Sequence, residues 1–235
     1  MSRDEVPAED PATLDRLHQE WARLAPELTR ELATGIPEDS LALEGRRLIT
    51  RWSEPHRRYH DPHHLLATLE ALARLTAPAD PPLPVRVAAW FHDAVHDGVA
   101  GDDEEASALL AERVLADLGG SPGLIAEVAR LVRLTVDHQV GPGDDHGALL
   151  VDADLSILGS DERTYRAYAL AVRREYAHLD DVAFTTGRLA VLRALLHRRH
   201  LFHTARGREL WHEPARRNLA AEIDACRRAL GGAGA

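Results

Sequence analysis

Lysine is absent from this 235-residue chain, cysteine occurs once, and aromatic residues make up only 5% of it. Each shortage excludes something. A lone thiol, Cys226, can form neither an intramolecular disulfide nor a cysteine-based zinc cluster. With so few aromatic rings, Leu, Ala and Val must fill the core. β-branched runs are scarce and no segment reads convincingly as a strand, so an all-α fold is expected. No apolar run is long enough to span a bilayer. Met1 to Pro11 is acidic and proline-containing, without the basic and then apolar order of a secretory signal. A cytoplasmic protein without a membrane partner is the expectation. All the basic residues are arginine, which carries no functional reading by itself.

What is present is a helical sequence rich in histidine. Hydrophobic residues are 45% of the chain, enough for a sizeable core. The net charge of −10 repels nucleic-acid backbones, so no nucleic-acid polymer is expected as a partner. A local pocket for a small phosphate remains compatible with that charge. Fourteen histidines is a high count for this length, and histidine is the side chain most used for metal binding and proton transfer near neutral pH.

The pattern predicts a disordered lead over 1–11, one helical domain over 12–230 and a frayed tail over 231–235. Leu14, Leu17, Trp21, Leu24 and Leu28 recur at helical spacing from Thr13 to Ala33, with Gly35 and Pro37 as the stop. Further helices are predicted from Asp39 to Trp52, from Pro62 onward with Asp61 as cap, and from Pro84 to about His96. Asp102 with Glu105 fits a capping pair for a helix ending near Gly119. Ser121-Pro122 opens another, running to about His138. Later helices are expected from Asp161 to His178, from Val182 to Arg199 and from Glu213 to Leu230.

Three apolar segments carry polar groups where the pattern calls for burial. His60 and His64 are four apart at a helix start, so both can project from one face. His92-Asp93 interrupts Ala88-Ala89-Trp90-Phe91 and Ala94-Val95, and Asp152 and Asp154 interrupt Leu149 to Leu155. A buried carboxylate beside an imidazole is costly unless a cation compensates it. Convergence of these segments on a bound metal ion is the simplest remedy. His138, at the end of an apolar helix, reads either as dipole compensation or as a further contact. Arg57 and Arg58 can grip a phosphate or serve as surface charges.

The order His64, His92-Asp93, Asp154 resembles the HD metal-dependent phosphohydrolase superfamily, named for its adjacent His-Asp pair. Tyr59-His60-x-x-x-His64 is similar to a motif of cyclic-nucleotide phosphodiesterases, whose core is of the HD type. A bacterial group of HD-superfamily phosphohydrolases is closer still. The likeness rests on Arg58-Tyr59-His60, Trp90-Phe91-His92-Asp93, Glu104-x-x-Ser107-Ala108, Asp152-Ala153-Asp154-Leu155, Arg173-x-Glu175-Tyr176 and Ala215-Arg216-x-Asn218.

The resemblance implies a helical bundle in which His64, His92, Asp93 and Asp154 bind a divalent transition metal. Asp154 is favoured over Asp152 and His64 over His63. Mixed nitrogen and oxygen ligation suits Mn²⁺, Fe²⁺, Co²⁺, Ni²⁺ or Zn²⁺, with Mg²⁺ in a second, oxygen-rich position. His60 is the implied proton donor, and Glu104 and Asp97 are candidates for positioning water. His138, Asp152 and His96 are candidates for a second metal or a phosphate contact. The implied activity is hydrolysis of a phosphoester in a nucleotide or small phosphorylated metabolite, with the oligomeric state, homo-oligomer included, left open. Two alternatives stand beside it: a di-iron oxygenase of the HD type, and a non-catalytic nucleotide-binding module.

Overall fold

Acidic or hydroxyl residues start most of the helices. Asp10 caps α1 (Pro11–Arg30), Asp61 caps α3 (Pro62–Thr76), Ser121 caps α6 (Pro122–Leu134) and Asp144 caps α7 (Asp145–Asp154). Asp161 and Asp180 do the same for α8 (Glu162–Glu175) and α9 (Asp181–His197). In each case the side-chain oxygen accepts backbone N–H groups that a helix start leaves unpaired. The remaining helices are α2 (Glu38–Trp52), α4 (Leu83–Phe91), α5 (Asp102–Asp117) and α10 (Ala205–Gly232), and a 3₁₀ turn covers Leu155–Gly159. The computed structural model describes residues 10–32, 37–99 and 101–232.

The result is a single all-α domain, and among the described residues the only β feature is one bridge between Leu32 and Gly120. Short α4 is its centre. Leu83, Val85 and Val87 to Phe91 are all buried, and only Arg86, paired with Glu27, carries charge, so α4 is almost fully enclosed. It packs against α1, α3, α5, α6 and α7. Helices α9 and α10 pack on each other, and α10 also packs on the 3₁₀ turn. Gly159 in that turn lies against the backbone of Trp211, where any side chain would collide. No helix among the described residues is long and apolar enough to cross a membrane.

Several boundaries differ from the periodic reading. Within the stretch expected as a lead, Asp10 already caps α1 and Pro11 opens it; residues 1–9 and Gly35 lie outside the described residues. At the other end Gly231 and Gly232 are still helical, and 233–235 lie outside the described residues. Helix α4 stops at Phe91 instead of His96. The carbonyls of Asp93 and Ala94 accept from the Arg57 guanidinium at 2.7 and 3.2 Å, and Ser107 bonds both polar backbone groups of Val95. Tertiary partners thus replace helical ones. Asp102 does not cap α5. Gly101 holds that position at φ +90°, and its N–H donates to Glu104. Helix α10 begins eight residues before Glu213, where Thr204 accepts from the Gly207 N–H as a cap and Asp152 accepts from the His203 and Thr204 amides.

Candidate metal centre and its surroundings

Three helix ends meet at one point. Asp61 accepts from the His63 and His64 N–H groups, which fixes the first turn of α3 and turns His64 inward. His92 follows the last residue of α4, Asp93 is next, and Asp154 ends α7. One ligand atom each from His64, His92 and Asp154 lie within 4.8 Å of one another. The two Nε2 atoms face each other at 3.2 Å. Asp154 Oδ1 lies 3.2 Å from His64 Nε2 and 3.7 Å from His92 Nε2. Asp93 Oδ2 completes the group, at 3.1 Å from His92 Nε2 and 3.7 Å from His64 Nε2.

This donor set asks for a cation. His92 Nδ1 donates to Ala89 O at 2.9 Å, so in the neutral ring Nε2 is a bare lone pair. A lone pair pointing at a second imidazole nitrogen, with two carboxylates alongside, is repulsive unless a proton or a metal ion sits between them. Burial pushes the His92 imidazole down, but the charges and hydrogen bonds of Asp93 and Asp154 overcome it and raise it well above its ordinary value. Burial likewise raises Asp154, yet bonds from His138, His64 and His92 hold it well below the usual carboxylate range. Asp93 is held low mainly by His92, against burial. Two imidazoles and two carboxylates without thiolate fit a divalent transition ion.

The supports are as specific as the donors. Trp52 packs its ring 5.3 Å from the His92 ring and 6.1 Å from that of His64, and its Nε1 donates to Trp90 O. His138 Nε2 lies 2.8 Å from the second oxygen of Asp154. His138 has φ +54°, a left-handed conformation that costs energy in a residue with a side chain. It is held there by Arg198, which donates to the carbonyls of Asp137 and His138.

A second cluster lies beside the first. His60 Nδ1 bonds Glu175 Oε2 at 2.8 Å, and His96 Nε2 is 3.7 Å from the same oxygen. The other oxygen, Oε1, accepts three backbone N–H groups, from Arg58, Tyr59 and His60, at 2.8 to 2.9 Å. Burial works against the Glu175 carboxylate, but the bond from His60 and the others hold it below its usual range. His60 is raised in turn: burial lowers it, and Glu175 with Asp93 more than compensates.

The structure brings His60, His64, His92, Asp93, His96, His138 and Asp154 together, and assigns other expected residues elsewhere. Asp152 is fully buried, and it accepts from the His203 and Thr204 amides and the Thr204 hydroxyl. It fastens the start of α10. Arg57 is buried over Trp52 and spends its donors on Glu54 and on the carbonyls of His60, Asp93 and Ala94. It ties the His60 loop to the His-Asp turn rather than gripping substrate. Glu104 closes the start of α5, and Asp97 is exposed. The Arg58 guanidinium bonds the carbonyls of Pro55 and Arg57 at the edge of a cavity.

Glu175, Trp52 and Asp103 are the supports that sequence reasoning did not place at the site. Asp103 accepts from Gly98 and Val99 and holds the loop after His96. Only Glu175 had a visible signal, in Arg173-x-Glu175-Tyr176.

Two cavities reach the centre. One of about 660 Å³ touches His64, Asp154, Arg58 and Trp211. Another of about 370 Å³ touches His60, His138 and Asp154, and Tyr59 and Tyr168 line both. No family model, no curated protein and no solved structure matches this chain.

Proposed function

We propose that this chain is a metal-dependent phosphohydrolase. The observation that carries the reading is the convergence of His64 Nε2, His92 Nε2, Asp93 and Asp154 at three helix ends, open to cavities large enough for a small phosphate ester. A divalent ion held there would acidify a bound water and take up charge from phosphoryl oxygens. The chain's own groups supply the rest. Asp154 is oriented by His138 on one oxygen, which leaves the other for the centre. Glu175 accepts from His60 Nδ1, so His60 Nε2 is the ring atom left to hand a proton to the departing oxygen. His60 lines the smaller cavity, as that role requires. Trp52 seals the far side of the imidazole pair from water.

The di-iron alternative needs a second set of ligand atoms free to bind. In the nearest set, His60 Nδ1 and Glu175 are already hydrogen-bonded to each other, while His96 Nε2 stands 3.7 Å from Glu175. That favours hydrolysis over oxygen chemistry. The test is a panel of simple phosphoesters and nucleotides assayed with Mn²⁺, Fe²⁺, Co²⁺, Ni²⁺, Zn²⁺ and Mg²⁺. Phosphate release that depends on the ion and is lost in Asp154→Ala is expected. Metal uptake without release from any phosphoester would overturn the reading.

A further inference from the structure

Two arginines line the smaller cavity, and they are held in opposite ways. Arg188 forms a double bond pair with Glu222, Nε to Oε1 at 2.8 Å and Nη2 to Oε2 at 3.1 Å, and also donates to the Tyr168 hydroxyl. Its charge is cancelled inside the protein. Arg198 donates to two neutral acceptors, His138 O at 3.2 Å and Asp137 O at 2.6 Å. Among the described residues no carboxylate lies within ion-pair distance of it. The nearest acid acting on it, Asp137, uses its carboxylate to accept from the Gln139 amide.

Carbonyls satisfy hydrogens but leave the net charge. A guanidinium has five N–H donors, and these contacts use two of them. The cavity beside it mixes apolar groups, Val136, Ile157, Val191 and Leu195, with the side chains of the metal centre. Several surface arginines, Arg130, Arg133 and Arg166 among them, have carboxylate partners, whereas Arg58 at the larger cavity, like Arg198, meets only carbonyls. The carbonyls that hold Arg198 belong to the turn carrying His138, whose ring touches Asp154. The guanidinium therefore stands beyond the metal centre along the same cavity.

We infer that Arg198 binds a second anionic group of the substrate, so the preferred phosphoester carries a further phosphate or carboxylate a few bonds from the one at the centre. This rests on the hydrolase reading above. Arg188 does not share the task, because Glu222 already neutralises it.

The test is calorimetric titration of the full chain loaded with Mn²⁺, using non-hydrolysable probes of graded chain length. These are alkane monophosphonates, α,ω-bisphosphonates and ω-phosphonocarboxylates. At a matching length one doubly anionic probe should bind about tenfold or more tighter than the monophosphonate. The arm that wins identifies the second group. In Arg198→Gln the ratio should fall to about one, and Arg198→Lys, which keeps the charge, should restore part of it. Equal binding at every length would overturn the inference and leave the hydrolase reading intact. So would an Arg198→Gln effect equal on single and double anions, since Arg198 would then only hold the His138 turn. Failure of every phosphonate to bind would overturn both.

Discussion

The two histidine clusters are built from the same side chains and answer opposite problems. In the first, the Nε2 atoms of His64 and His92 face each other at 3.2 Å, with the carboxylates of Asp93 and Asp154 crowded beside them, so a proton or a metal ion has to sit among them. In the second, Glu175 joins His60 directly and fills its other oxygen with three backbone amides. One arrangement needs a proton or a metal ion among its donors; in the other, Glu175 and His60 already satisfy each other, which aims the His60 imidazole. Burial of histidine and carboxylate together therefore does not define a metal site. What separates the two is whether the lone pairs are already used.

The largest effects should break the clusters apart. Asp93→Ala or Asp154→Ala is expected to abolish both bound metal, measured by elemental analysis, and hydrolysis. His60→Ala should keep the metal and slow turnover by roughly two to four orders of magnitude, as loss of a general acid does. Glu175→Gln should also keep the metal, with a smaller loss, because its amide would present N–H to His60 Nδ1 and reverse the ring's tautomer. Loss of metal in Glu175→Gln would erase the distinction between the clusters.

Stability effects come next. Trp52→Ala removes a fully buried ring beneath the imidazole pair and should cost about 3–5 kcal/mol in chemical denaturation. Asp152→Ala leaves the start of α10 without its acceptor and should cost about 1–3 kcal/mol while leaving metal content unchanged. That outcome would confirm that Asp152 is a fastening and no ligand.

The smallest effect concerns pH. His92 is raised above 6.5 in the fold, so its contribution is complete below 6.5 and is lost as pH rises through the folded value. Asp93, Asp154 and Glu175 are depressed, so theirs is present above 3.8 to 4.5 and lost as pH falls through their folded values. The metal-free chain should melt highest between 4.5 and 6.5 and lower on the alkaline side. Saturating Mn²⁺ should remove the alkaline fall. A metal-free melting temperature that climbs above 6.5 would contradict this electrostatic account of the first cluster.

Much of this was legible in the sequence, for identifiable reasons. Helix content followed from periodicity, and the caps Asp61, Ser121 and Asp161 announced themselves locally. His92, Asp93 and Asp154 stood out because each interrupts an apolar run, and His64 because it lies four residues after His60 at a helix start. Residues whose role depends on distant partners were not legible. Arg57 looked like a phosphate grip, and only the fold shows its donors taken by carbonyls 36 and 37 positions away. Asp152 and Asp154 are alike in sequence, and what separates them is that the α10 start lands on one of them. Glu175 reaches back more than a hundred residues to His60, a pairing that no local pattern encodes.

The most direct test is anomalous scattering from crystals of the chain loaded with Mn²⁺. A peak is expected at about 2.0–2.3 Å from His64 Nε2 and His92 Nε2, with Asp93 and Asp154 oxygens completing the sphere. A peak among His60, His96 and Glu175 instead, or none between His64 and His92, would contradict the account.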